Sequence, residues 1–167
     1  MARAYIVGCG CRGSTLGRRL HQAGWQVRGT TRDPLNSDQI LEAGLEAVVA
    51  DPDRVGTVLD HVGDVTILFW LLGSATGGPE LVAALHGPRL ERLLEELVDT
   101  PVRGVVYEAA GTVPDEELEG GAAIVGAASE RWRIPSEIVK ADPDDWEGWV
   151  EEMLAATERL IGGTGAE

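Results

Sequence analysis

Short apolar runs alternate with stretches of helical periodicity along the whole chain. Six runs have the apolar or alternating pattern of β-strands, at residues 4–7, 25–31, 45–50, 65–72, 102–110 and 136–141. Helical periodicity covers the segments between and after them, at residues 14–23, 37–43, 53–61, 79–98 with an interruption at Gly87-Pro88, 116–132 and 144–161. The run at 65–72 is apolar at nearly every position, which is typical of a strand buried on both faces.

Strands joined by helices require right-handed parallel crossovers and a sheet covered by helices on both faces. The alternation therefore predicts an α/β fold with a doubly wound (Rossmann) parallel sheet, in strand order 3-2-1-4-5-6. The length of 167 residues suits one domain. We expect this domain to cover residues 1–161, followed by a flexible glycine-rich tail at residues 162–167.

Composition excludes several classes of partner. The chain is 44% hydrophobic and 25% charged, and its net charge of −14 argues against nucleic acid and anionic membranes, which both need a cationic face. No apolar run approaches the roughly 18 residues of a membrane span. The N-terminus has no secretory signal pattern, and two cysteines one residue apart cannot form a disulfide framework, so we expect a cytoplasmic protein.

The charge is unevenly distributed. Residues 1–32 carry no acid and six arginines: Arg3, Arg12, Arg18, Arg19, Arg28 and Arg32. Such a cationic segment on an anionic protein predicts a small anionic ligand near the N-terminal part of the fold, although arginines on a solvated helix face would give the same pattern.

A glycine-rich loop follows the first predicted strand and opens the first helix. It reads Gly8-Cys9-Gly10-Cys11-Arg12-Gly13, which has the G-x-G-x-x-G spacing in the context that the motif requires. Gly8 would permit the tight turn, Gly10 the approach of a pyrophosphate, and Gly13 close packing of helix on strand. The loop therefore predicts that a dinucleotide binds at the helix N-terminus, with Cys11 and Arg12 beside it. A glycine turn kept only for close packing is the alternative.

The end of the second predicted strand indicates which dinucleotide is bound. An NAD site places an acid there, whereas this chain has Thr30 and Thr31 followed by Arg32. A hydroxyl beside a guanidinium suits a ribose 2′-phosphate, so we expect NADP rather than NAD. Asp33 leaves NAD open, because a shift of one residue would make it the ribose-binding acid.

These features resemble the extended and atypical short-chain dehydrogenases/reductases, which include NAD-dependent epimerases and dehydratases. The glycine loop, the Thr30-Thr31-Arg32 segment, Asp51, and the Leu72-Gly73-Ser74 segment carry the resemblance over roughly residues 3–112. It implies that Asp51 contacts the adenine amino group and that Leu72, Gly73 and Ser74 lie beside the cofactor ribose. Asp51 could equally cap a helix beginning at Pro52. A homodimer is also implied by the resemblance alone.

The catalytic residues of that family have no counterpart here. Its members use a tyrosine with a lysine four positions later, but this chain has only Tyr5, Tyr107 and Lys140, with Gly111 where the lysine would follow Tyr107. Alanines stand where the family has its serine. The chain is also shorter than family members by most of their substrate-binding region. We therefore expect an NADP(H)-binding protein without standard short-chain dehydrogenase catalysis, serving as a sensor, regulator or interaction module.

One acid leaves an enzymatic alternative open. Glu108 lies near the end of the fifth predicted strand and is the weak candidate for a catalytic base in an atypical oxidoreductase or epimerase-like enzyme, unless a partner supplies the group. It could instead cap the next helix or face solvent. A third interpretation is a Rossmann-type fold that binds no nucleotide. The three histidines have no metal-ligand spacing, and we expect no metal and surface or capping positions for them.

Overall fold

The computed structural model describes the backbone of residues 2–165 and the side chains of residues 2–162. The strands are β1 (Arg3–Val7), β2 (Gln26–Thr31), β3 (Glu46–Val49), β4 (Ile67–Trp70), β5 (Gly104–Glu108) and β6 (Ser136–Val139). The helices are α1 (Cys11–Gln22), α2 (Ser37–Glu42), α3 (Val55–Leu59), α4 (Pro79–Leu85), α5 (Pro88–Leu97), α6 (Asp115–Trp132) and α7 (Trp146–Gly165). A 3-10 turn, Pro34–Asn36, precedes α2.

The six strands form one parallel sheet in the order β3-β2-β1-β4-β5-β6, so the predicted doubly wound fold and strand order are confirmed. Alternate residues of β1 point to opposite faces, as the two-residue period of a strand requires. Ala4 and Ile6 join the core formed with α1, α2 and α7, whereas Tyr5 and Val7 join the core formed with α3, α4, α5 and α6. Helices thus cover both faces.

The sequence pattern placed the elements well and their ends less well. The apolar run at 65–72 is completely buried over β4, as expected for the centre of a covered sheet. The predicted helix at 53–61 is only the short α3, and the segment 79–98 is two helices divided at His86-Gly87. Pro88 takes the first position of α5, where its missing N–H costs nothing.

The C-terminal helix extends beyond the predicted domain end. α7 continues past Ile161 to Gly165, so it enters the range 162–167 that the sequence assigned to a flexible tail. Residues 166 and 167 lie outside the described residues, and the flexibility of this segment stays a prediction.

Candidate functional site

A cleft of about 860 Å³ opens at the carboxyl edge of the sheet, beside the point where the strand order reverses between β1 and β4. Ligands of doubly wound sheets bind at this switch point. Its volume lies within the range of pockets that hold cofactor-sized ligands. The cleft is lined by the β1–α1 loop, the segments after β2 and β3, and the segment after β4 together with α4.

The glycine loop forms one wall of this cleft, and its glycines have different roles. Gly8 has a φ of +88°, and a Cβ there would collide with the carbonyl oxygen of Leu71. A Cβ at Gly13 would come within 3.2 Å of the Gly8 carbonyl oxygen, so α1 packs closely on the loop. Gly10 has no neighbour within 4 Å of the place a Cβ would take. Packing therefore explains Gly8 and Gly13 but not Gly10, whose open surface suits a ligand that approaches the backbone.

The first turn of α1 begins at this loop and carries no acidic side chain. Cys11 and Arg12 are its first two residues, and both line the cleft. Their backbone N–H groups belong to the unpaired donors that begin every helix, and the helix dipole adds partial positive charge. Cys11 is exposed and its Sγ accepts a hydrogen bond from Gln39 Nε2 at 3.0 Å, while Cys9 is buried, which raises the pKa of its thiol to about 11.

The end of β2 provides the second wall. Thr30 is buried, and its hydroxyl accepts the Gly8 N–H at 3.2 Å, so it fixes the glycine loop from inside. Thr31 and Arg32 line the cleft, and Arg32 is exposed. Asp33 also lines it, but Oδ1 of Asp33 accepts the Leu35 N–H at 2.9 Å and caps the 3-10 turn.

Asp51 closes the cleft beyond β3, where its carboxylate accepts the Asp53 N–H at 2.9 Å. The alternative that Asp51 caps the next helix is wrong, because α3 begins at Val55 with Arg54 in the capping position. Leu72 and Ser74 line the cleft after β4. Gly73, between them, is not among the lining residues: it faces the end of β5, and a Cβ there would collide with the Ala110 carbonyl oxygen.

The six N-terminal arginines do not form one cationic surface. Arg12 and Arg32 line the cleft, but Arg3 and Arg28 form ion pairs with Glu46 and Asp64. The hydrogen bonds between Arg28 and Asp64 raise the pKa of the guanidinium and lower that of the carboxyl. The expectation of an anionic ligand therefore depends on Arg12 and Arg32, because Arg3 and Arg28 already have partners.

Glu108 neither caps a helix nor faces solvent, so both structural alternatives are wrong. Its side chain is 1% exposed, and α6 begins only at Asp115. Oε1 accepts the Gly73 N–H at 2.9 Å and Oε2 accepts the Trp149 indole N–H at 2.8 Å. Burial raises the pKa of this carboxyl, and the two N–H donors and the nearby Arg12 oppose that rise. Glu108 lines a second cavity, of about 150 Å³, on the other side of the glycine loop.

His86 is also buried, which corrects its predicted surface position. Its Nε2 lies 2.8 Å from the Leu72 carbonyl oxygen and its Nδ1 lies 2.6 Å from the Tyr107 hydroxyl. A carbonyl can only accept, so Nε2 carries the proton and Nδ1 accepts from Tyr107. Burial lowers the pKa of His86. The sequence offered no signal for this contact, because its partners lie after β4 and on β5, 14 and 21 residues away.

The described residues contain no group of three or more His, Cys, Asp or Glu side chains that could hold a metal ion. Over the same part of the chain, no helix is both long and apolar enough to cross a membrane.

Comparisons with known proteins place this geometry in context. A family model described as ketopantoate reductase PanE/ApbA matches residues 4–62, from β1 to just beyond α3. A search of curated proteins finds no match. Among solved structures, BdcA from E. coli superposes with a TM-score of 0.72 at 17% identity, over 96% of this chain and 93% of that one. The chain is a Rossmann-fold protein.

Two further structures are similar and contain a dinucleotide. A UDP-glucuronic acid 4-epimerase from Bacillus cereus in complex with NAD has a TM-score of 0.66 at 12% identity, over 84% of this chain and 55% of that one. A short-chain dehydrogenase/reductase superfamily protein from Agrobacterium tumefaciens with bound NAD has a TM-score of 0.66 at 18% identity, over 81% and 48%. This Rossmann-fold chain therefore spans about half the length of these two relatives, and its predicted resemblance to them is confirmed for the fold.

Proposed function

We propose that this protein binds NADP(H) in the large cleft and carries out no short-chain dehydrogenase reaction of its own, acting as a sensor, regulator or interaction module. In this arrangement the pyrophosphate lies at the N-terminus of α1, where free N–H groups and the helix dipole favour an anion. The adenosine lies between the segments that follow β2, β3 and β4, with Asp51 within reach of the adenine.

The choice of NADP rests on the position of Arg32. It is exposed at the rim of the cleft next to Thr31, where an NAD site would hold an acid. Asp33 could have served as that acid, and its Oδ1 accepts the Leu35 N–H. The Thr31 hydroxyl donates to the Asp33 carbonyl oxygen at 3.0 Å, so the Arg32 guanidinium is the group that matches a ribose 2′-phosphate, which accepts charge-assisted hydrogen bonds.

The proposed lack of hydride-transfer chemistry is supported by the hydrogen bonds of the two tyrosines. Tyr5 donates to the Val58 carbonyl oxygen at 2.9 Å, and Tyr107 pairs with His86. Both hydroxyls are buried, and burial raises the pKa of each phenol. Neither is placed to exchange a proton with a ligand in the cleft.

One observation favours a second candidate function, an atypical NADP-dependent oxidoreductase or epimerase-like enzyme. Glu108 lies on the wall of the smaller cavity beside Gly8 and Gly10, with a raised pKa. A carboxyl of raised pKa near a cofactor can serve as a general acid or base. Against this candidate, both of its oxygens already accept hydrogen bonds from N–H groups.

Calorimetric titration with NADPH, NADP, NADH and NAD tests the proposal, after the purified protein has been checked for carried-over nucleotide. We expect micromolar binding of the two phosphorylated nucleotides and at least about tenfold weaker binding of the other two. Equal affinities would contradict the choice of NADP, and no binding of any of them would contradict the proposal as a whole. Consumption of NADPH with carbonyl substrates, abolished by Glu108→Gln, would support the enzyme instead.

A further inference from the structure

The large cleft covers the first half of the fold and the segment after β4, the first strand of the second half, and does not extend to β5 or β6. Every described residue that lines it lies between Gly8 and Leu85, that is, on β1 to β4 and the segments that follow them. A Rossmann fold is built from two mononucleotide-binding halves, and a dinucleotide lies across both. The cleft therefore provides a site of sufficient volume for the nucleotide half that contacts β1, β2 and β3.

In the second half, the space between the segments after β4 and β5 is closed by packing. A Cβ on Gly73 would collide with the Ala110 carbonyl oxygen, and the Gly73 carbonyl oxygen accepts the Val113 N–H at 3.0 Å. The segment after β5 is thus held directly against the segment after β4. Space between these segments is taken up by backbone contacts.

The cavity on the far side of the glycine loop is small. Its volume is about 150 Å³, whereas pockets for cofactor-sized ligands span roughly 300–1,000 Å³. Trp149 of α7 lines this cavity: it is 1% exposed and its indole N–H donates to Glu108. Trp146 lines the same cavity and is 44% exposed.

The charge of this second cavity does not suit another phosphate. Its buried acid, Glu108, holds both oxygens toward N–H donors, the pattern expected of a carboxylate anion. A second anion placed beside it would be repelled in surroundings of low dielectric constant. Arg12, which lines both cavities, is the one cation of the described residues that lines the smaller one.

We infer that the cleft recognises the 2′-phosphoadenosine half of its ligand alone, so that the protein binds 2′-phosphorylated adenosine nucleotides as a class, mononucleotides included. This inference rests on the proposed binding of NADP(H). The nicotinamide half of a dinucleotide then extends past the glycine loop and contributes little to affinity.

Comparing the affinities of NADPH and of compounds that resemble each of its two halves tests the inference. Calorimetry would compare NADPH with adenosine 2′,5′-bisphosphate and with reduced nicotinamide mononucleotide. We expect the bisphosphate to bind within about tenfold of NADPH and the mononucleotide of nicotinamide to bind at least about a thousandfold more weakly than NADPH. A bisphosphate that binds more than tenfold more weakly than NADPH would overturn the inference and leave the proposed function intact. If neither NADPH nor the bisphosphate binds, the proposed function fails, and the inference fails with it.

Trp146→Ala gives a second measurement that does not depend on the buried core. Trp146 is half-exposed at the first position of α7, so the variant is expected to fold. We expect the ratio of the two dissociation constants, for NADPH and for adenosine 2′,5′-bisphosphate, to change less than about twofold. A selective loss of NADPH affinity would show that the nicotinamide ring contacts Trp146 and would contradict the inference. The bisphosphate serves as the internal control for folding.

Discussion

The two halves of the sheet end differently at the same edge. Beyond β1, β2 and β3 the strands open into a cleft with Arg12 and Arg32 on its walls, whereas beyond β5 the edge is filled by Glu108, Trp149 and the contact of Gly73 with Ala110. Both halves have the same strand–helix topology, so the fold alone does not determine where a ligand enters. The side chains after each strand do.

The largest effect on stability is expected at Gly8, which lies on the open side of the sheet edge, that is, beside the cleft beyond β1, β2 and β3. Gly8→Ala places a Cβ at a φ of +88° and against the Leu71 carbonyl oxygen, so we expect the free energy of unfolding to fall by about 3–5 kcal/mol and nucleotide binding to be lost. Urea unfolding and calorimetry would measure the two effects.

Gly10→Ala is the matched control on the same loop. Its Cβ meets no protein atom within 4 Å, so the variant should keep its stability within about 1 kcal/mol and lose affinity for NADPH by at least about tenfold. Unchanged NADPH affinity in this variant would mean that the nucleotide does not approach the loop backbone, and the open side would have no ligand role.

An intermediate effect is expected at Glu108, on the closed side. Glu108→Ala leaves the Gly73 N–H and the Trp149 indole N–H buried without their acceptor, so the free energy of unfolding should fall by about 2–3 kcal/mol. Glu108→Gln keeps one acceptor oxygen and should lose about half as much. Both values come from urea unfolding, with affinity for adenosine 2′,5′-bisphosphate unchanged. If this affinity falls with stability intact, Glu108 contacts the ligand and the two sides are not distinct.

The smallest effect is a pH dependence from His86, which joins the ends of β4 and β5. Burial lowers the pKa of this histidine in the folded protein below its ordinary value of 6.5. Between these two values the unfolded chain binds the proton and the folded protein does not, so His86 lowers stability as the pH falls below about 6.5.

We expect His86 to contribute to a decrease in the free energy of unfolding between pH 7 and pH 5.5, because its pKa is lowered in the folded protein. His86→Gln should remove that part of the slope, and His21→Gln, at an exposed position on α1, should leave it. An equal slope in the wild type and in His86→Gln would mean that the buried imidazole does not resist protonation.

The sequence predicted the fold and the cleft because their signals are local. Hydrophobic periodicity gave the order of strands and helices, and the spacing of Gly8, Gly10 and Gly13 located the loop between β1 and α1. Arg32 and Asp51 follow their strands directly, so their position at the carboxyl edge followed from the strand assignments.

Roles that depend on distant partners could not be predicted. Glu108 is bonded to groups 35 and 41 residues away, and Arg28 is bonded to Asp64, 36 residues away, so nothing beside either residue indicates its partners. The partners of His86 could not be predicted either, because His86 lies between the end of α4 and the start of α5 and nothing beside it in the chain indicates them. Such contacts arise only when the fold brings separate elements together.

The central claim is that Arg32 in the cleft binds the 2′-phosphate. The most direct test is to measure the affinity of Arg32→Ala for NADPH and NADH, with Arg18→Ala as the control. Arg18 is exposed on α1 and is not among the residues that line the cleft. Loss of a charge-assisted contact should weaken NADPH binding by roughly tenfold to a hundredfold and leave NADH binding unchanged, while Arg18→Ala changes neither. Equal losses for NADPH and NADH in Arg32→Ala would contradict the claim.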